Sequence, residues 1–206
     1  MTEPDVVVTD YLLTLEAATF AVGLSRSPAA DPNLRLPFVV FFAATAFAAV
    51  TGGTVHGFFS GAGSTVGVAL WRTTLVALGV VALAAWAIGG RMLLPLRAAD
   101  ALQIAAALVA AVYTIVVVAV DDRFWIAIVH YVPPTLFMLL AFVVAYRQGR
   151  PSTLTGLVGL VMTLAAALVQ QRQIAIHPVY FNHNALYHAI QAVALFLIYW
   201  SARALI

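Results

Sequence analysis

Long apolar runs alternate with short polar stretches along the whole chain, and the runs show little period-two alternation. Each run approaches or exceeds the roughly 20 residues that an α-helix needs to cross a membrane. Near-continuous runs also favour helices over the alternating strands of a β-barrel. The pattern predicts an all-α polytopic membrane protein, a single seven-transmembrane-helix bundle over residues 1–206, with spans at Val6–Leu24, Leu36–Phe58, Gly63–Gly89, Ala98–Val120, Phe124–Tyr146, Leu154–Gln170 and Ala185–Arg203.

The composition narrows the class of protein. Apolar residues make up 64% of the chain and charged residues only 9%, whereas a soluble domain has about 25% charged residues. The chain contains no cysteine and no lysine, which excludes disulfides, thiolate chemistry and a Schiff-base lysine. We expect an integral protein of a prokaryotic plasma membrane. Its partners would be membrane lipids and a lipid-like or small-molecule ligand, with no nucleic acid.

Arginine residues are distributed unequally between the two ends of the predicted bundle. We call the end that carries the start of the chain the N-terminal face. The positive-inside rule places the arginine-rich side in the cytoplasm, so we expect the N-terminus outside and the C-terminus inside. The N-terminal face has two arginines, Arg123 and Arg172, whereas the opposite end has seven: Arg26, Arg35, Arg91, Arg97, Arg147, Arg150 and Arg203.

Polar side chains are concentrated where the last span begins, in the run Phe181–Gln191. Asn184, His188 and Gln191 are spaced i, i+4 and i+7, which places them on one face of a helix. Polar side chains inside a membrane are costly, so they usually have partners or a task. This face therefore predicts a functional site.

Histidines from three different spans approach the same end of the bundle. His56 ends the second span at the N-terminal face, His188 enters the seventh span there, and His130 lies about 10 Å deep in the fifth at 1.5 Å per residue. We expect His56 and His188 to share one cavity. Further residues expected to line it are Gly52, Gly53, Gln170, Gln171 and Gln191.

Two opposite charges are predicted within the spans. Glu16 in the first span and Arg72 in the third lie at similar depth from the N-terminal face. An unpaired charge inside a membrane is expensive. We therefore expect Glu16 and Arg72 to form a buried ion pair.

The seven spans, with a histidine ending the second and the run Asn184-Ala-Leu-Tyr-His188 opening the last, resemble the CREST superfamily, which includes alkaline ceramidases and progestin/adiponectin-type receptors. The resemblance implies a zinc-dependent hydrolase of a lipid-like amide or ester. His56 and His188 would be zinc ligands, and His183 or His130 the third. Asn184 and His183 would be the catalytic residues, with Asn184 orienting the water or the substrate.

Other functions stay open beside the hydrolase. Asn184 stands where the family has a histidine, and no Asp occurs between His56 and Asp100. These departures favour a non-catalytic receptor or a small-ligand-binding membrane protein. A haem protein with two axial histidines and a proton or solute pathway are further alternatives.

Overall fold

The computed structural model describes residues 3–28, 31–59 and 64–206. Within these residues it confirms the predicted all-α bundle, because seven helices are long and apolar enough to cross a membrane. The predicted start of the third span, Gly63, lies outside the described residues. The helices are α1 (Pro4–Arg26), α2 (Pro32–Thr54), α3 (Thr65–Leu93), α4 (Leu96–Ala119), α5 (Phe124–Arg147), α6 (Thr153–Gln171) and α7 (His183–Leu205).

Six of the helices pack in a closed ring. α1 packs on α2, α2 on α3, α3 on α5, α5 on α6, α6 on α7, and α7 returns to α1. α4 packs on α3 from outside the ring, and it leaves a long apolar surface exposed, including Ile104, Leu108, Val112 and Ile115. In a membrane such a surface faces the lipid chains. The interior of the ring is therefore formed without α4.

The first connection is shorter than the sequence predicts, because α2 already begins at Pro32 and not at Leu36. The side chain of Asp31 accepts a hydrogen bond from the Asn33 N–H at 2.9 Å and caps the helix. Pro32 occupies the first turn, where a missing N–H costs nothing. Pro37, the second residue of the predicted second span, lies inside α2.

The half of the ring farthest from the N-terminal face is filled by aromatic and aliphatic side chains. Phe20 of α1 stacks on Tyr199 of α7, with ring centroids 4.1 Å apart, and meets Phe42 of α2 edge-on. This packing closes the ring at one end. Other buried members of the same cluster are Phe38, Met138, Phe142, Leu160, Leu195 and Ile198.

Candidate functional site

A narrow cavity of about 220 Å³ occupies the other half of the ring. All six ring helices contribute to its wall, and no residue of α4 does. Its lining extends from His56 to Phe41 along α2 and from Trp71 to Ala85 along α3, which is about 20 Å at 1.5 Å per residue. The cavity is therefore long and thin, and it runs from the N-terminal face towards the middle of the bundle.

The end of the cavity near the N-terminal face is polar. Nε2 of His188 lies 3.2 Å from Oδ1 of Asp10, and both side chains are almost buried. Nδ1 of His188 lies 3.3 Å from the hydroxyl of Thr9. Nδ1 of His56 lies 3.2 Å from Oε2 of Glu3. Both of these cavity histidines thus have an acidic neighbour, Asp10 on α1 for His188 and Glu3 just before α1 for His56.

The start of α7 is held in place by its own cap and by α1. The side chain of Asn182 accepts hydrogen bonds from the backbone N–H groups of Asn184 and Ala185 at 2.9 and 3.1 Å. The carboxylate of Asp5 accepts from the N–H of Asn182 at 3.0 Å. These contacts fix the rotation of α7, and five of its side chains then line the cavity: His183, Asn184, Tyr187, His188 and Gln191.

His56 is carried by an irregular turn rather than by the regular helix. After Thr54 the chain continues as a π-helical turn, Val55–Phe59, and such turns are frequent at functional sites. Just before it, α1 approaches α2 closely, because a Cβ on Gly53 would lie 2.7 Å from the Cβ of Asp10. Glycine at this position therefore allows Asp10 to reach the cavity beside His56.

The opposite end of the cavity is apolar. Phe41, Ala85, Met138 and Leu160 line it, and all four belong to the buried cluster that closes the ring. The ionisable side chains of the wall are thus confined to the end near the N-terminal face. Three threonines, Thr45, Thr135 and Thr163, also line the wall near the other end, but each hydroxyl donates its hydrogen to a backbone carbonyl of its own helix. Such a wall suits a molecule with a polar head and an apolar tail.

Several predicted site residues do line the cavity, and others do not. His56, His183, Asn184, His188, Gly52, Gln170 and Gln191 line it. Gly53 packs against α1 instead, and the exposed Gln171 donates a hydrogen bond to Gln170. The ring of His130 stacks on Tyr113 of α4, with centroids 4.0 Å apart. His130 therefore faces the α3–α4–α5 side of the bundle, away from the cavity.

The predicted ion pair between Glu16 and Arg72 is wrong. Nε of Arg72 contacts Oδ2 of Asp122 at 3.1 Å, with both side chains partly exposed, whereas Oε2 of Glu16 is buried without a hydrogen-bond partner. Similar depth does not place two residues on facing sides, and a long arginine side chain reaches the polar end of the bundle. In the loop between α4 and α5, which also contains Asp122, hydrogen bonds from Arg123 lower the pKa of Asp121.

The described side chains are not arranged as the three-ligand zinc centre that the resemblance implies, and zinc stays a prediction. No group of three His, Cys, Asp or Glu residues that could hold a metal ion occurs in residues 3–28, 31–59 and 64–206. Each ring nitrogen of His188 already has a neighbour, Thr9 or Asp10. As arranged, His56 and His188 contact the carboxylates of Glu3 and Asp10, respectively.

Sequence reasoning missed the contribution of α1. Thr9 and Asp10 lie in the first span, and Tyr131 and Thr163 lie in the fifth and sixth. A carboxylate inside an apolar span is the signal that points to Asp10, since such residues face the bundle interior. Tyr131 and Thr163 carry no comparable signal, because single hydroxyl groups are common in membrane helices.

Comparison of the sequence with known protein families gives a match. A family model described as a family of unknown function, DUF6962, matches residues 6–206. The chain belongs to this family. No curated protein and no solved structure matches the chain. The resemblance to the CREST superfamily stays a prediction, and the function has to be argued from the cavity itself.

Proposed function

We propose that the protein binds one lipid-like molecule with a single apolar chain inside the ring of helices. The observation that carries this proposal is the division of one narrow cavity into a polar end and an apolar end. A chain inserted along the axis would cover the apolar wall, at roughly 25 cal/mol for each Å² of apolar surface removed from water. The polar head would then lie beside His188 and Asp10.

The proposed ligand enters from the outer leaflet, because the positive-inside rule puts the N-terminal face outside. The chain has no cysteine, so single cysteines report the orientation directly. Val179→Cys, in the exposed loop before α7, should react with an impermeant maleimide in intact cells. Arg150→Cys, in the opposite loop, should react only after the cells are opened. The reverse labelling would move the cavity mouth to the cytoplasm.

Filling the cavity tests the proposed function. Ala48 of α2 lines the cavity, and Ala48→Leu places three further carbon atoms in it. We expect the affinity for a fluorescent dodecyl probe in nanodiscs to fall at least about tenfold, which corresponds to about 1.4 kcal/mol. The matched control is Ala43→Leu, the same substitution at an exposed position of the same helix.

The control should bind the probe as the wild-type protein does. Equal binding by wild-type, Ala43→Leu and Ala48→Leu proteins would show that the probe lies outside the ring and would contradict the proposal. Thermal unfolding of both variants checks that neither has lost its fold, since an overpacked core costs about 1–3 kcal/mol.

A hydrolase of a lipid-like amide or ester is the second candidate, and the contact between His188 and Asp10 favours it. A histidine oriented by a carboxylate can take a proton from water, which then attacks a carbonyl carbon. Nδ1 of His188 would be this base, with the water in place of its 3.3 Å contact to Thr9. Release of nitrophenol from a long-chain nitrophenyl ester, lost in His188→Ala, would support it. Elemental analysis tests the zinc-dependent form, which requires stoichiometric zinc that falls in His56→Ala.

A further inference from the structure

Three nearly buried side chains of the cavity wall each retain an oxygen without a hydrogen-bond partner. Asp10 is 3% exposed, Gln191 7% and Tyr131 8%. The atoms concerned are Oδ2 of Asp10, Oε1 of Gln191 and the hydroxyl of Tyr131. A buried polar group left without a partner costs about 1–3 kcal/mol. All three side chains line the same cavity, so a single molecule inside it can serve them together.

The amide of Gln191 presents an acceptor rather than a donor. Its Nε2 lies 3.4 Å from the hydroxyl of Thr163. That hydroxyl donates its hydrogen to the carbonyl of Gly159 at 3.1 Å, so it can only accept from the amide. The NH₂ group must therefore face Thr163, and Oε1 is the amide atom that has no hydrogen-bond partner. A carbonyl oxygen accepts hydrogen bonds and cannot donate one.

Asp10 adds a second acceptor at nearly the same depth. Its Oδ1 contacts His188, which leaves Oδ2 for a further donor. Gln191 follows His188 by three residues on α7, a rise of about 4.5 Å. Asp10, through its contact with His188, and Gln191 thus lie about one helical turn apart along the polar end of the cavity.

The charged side chains of the cavity wall also favour a ligand head group that donates hydrogen bonds. No arginine lines the cavity among the described residues, and its only carboxylate is Asp10. The histidines are the competing feature, because protonated imidazoles would attract an anion. His56 and His188 each already lie 3.2 Å from a carboxylate oxygen. An anionic head would meet those carboxylates and would leave the acceptor oxygens without donors.

We infer that the head group selected at this end of the cavity is a protonated primary amine, so that the ligand is a single-chain alkylamine. This inference rests on the proposed function, the binding of one apolar chain in the ring. An alkylammonium, like the lysine side chain, is charged at neutral pH and has three N–H donors. Asp10, Gln191 and Tyr131 supply the matching acceptors.

A series of dodecyl compounds with different heads tests the inference on the wild-type protein in nanodiscs. Dodecylamine, dodecyltrimethylammonium and dodecanoate compete with a fluorescent dodecyl probe, with concentrations expressed per lipid so that membrane partitioning cancels. We expect dodecylamine to compete at least about tenfold better than each of the others. Dodecyltrimethylammonium has the same charge without N–H donors, and dodecanoate has the opposite charge.

Each outcome has a distinct meaning. Equal competition by the amine and the quaternary compound, or stronger competition by dodecanoate, overturns the assignment of the head group and leaves the cavity proposal standing. Failure of all compounds, including the probe itself, overturns the proposed function. Gln191→Leu, which removes one acceptor at similar size, should reduce the advantage of dodecylamine over dodecyltrimethylammonium, whereas Gln171→Leu on the exposed surface should not.

Discussion

Replacement of His188 by alanine is expected to lower the free energy of unfolding by about 3–5 kcal/mol, the range for a buried pair that loses one partner. The imidazole lies 3.2 Å from the carboxylate of Asp10, and the two side chains are only 11% and 4% exposed. Without the imidazole, the carboxylate stays buried with no neighbour to balance it. Asp10→Ala should cost a similar amount, because it leaves the buried imidazole without its acidic neighbour.

The double variant separates this coupling from other effects of the two substitutions. Asp10→Ala combined with His188→Ala should cost less than the sum of the single variants by about 1–3 kcal/mol, measured by denaturant unfolding in detergent. The pair of Arg72 and Asp122 is the control, because its side chains are 39% and 37% exposed and partly solvated pairs couple by about 0–1 kcal/mol. Additive costs at Asp10 and His188 would contradict their pairing.

A methyl group added at Gly159 should destabilise the bundle by about 2 kcal/mol, within the range for overpacked cores. A Cβ at this position would lie 2.6 Å from the carbonyl oxygen of Ala194 and 2.8 Å from Cγ1 of Ile198. The obstacle on α7 is backbone, which cannot rotate away, so α6 and α7 must separate. This cost outweighs the gain of about 1 kcal/mol in helix propensity from glycine to alanine.

Gly52→Ala is the matched control for this prediction, because its Cβ would find Cγ2 of Thr74 at an ordinary contact distance of 3.4 Å. This variant should unfold at the same denaturant concentration as the wild-type protein or slightly above it. If Gly159→Ala and Gly52→Ala unfold at the same denaturant concentration, the close approach of α6 and α7 at Gly159 is contradicted.

The fold and one wall of the site could be predicted from the sequence. Seven apolar runs of membrane length determine the helices, and the i, i+4, i+7 spacing of Asn184, His188 and Gln191 identifies the face of α7 that lines the cavity. The alternation of direction along the chain also brings His56 and His188 to one end. These inferences need only the periodicity of the α-helix and the alternating direction of successive spans.

Other features depend on how the helices are rotated and ordered in the membrane plane, which their apolar patterns do not determine. Depth alone suggested a pair of Glu16 and Arg72, but the two side chains do not meet. The position of α4 outside the ring likewise leaves His130 stacked on Tyr113 rather than lining the cavity. The approach of α1 at Gly53, which supplies Asp10, requires knowledge of which helices are neighbours.

A structure of the protein with a terminally brominated dodecyl amphiphile tests the central claim most directly, because bromine is located by its anomalous scattering. If one apolar chain lies inside the ring, the bromine should be found among Phe41, Met138 and Leu160, at the apolar end of the cavity. Bromine found only on the exposed apolar surface of α4, with the cavity holding no chain, would contradict the proposed function.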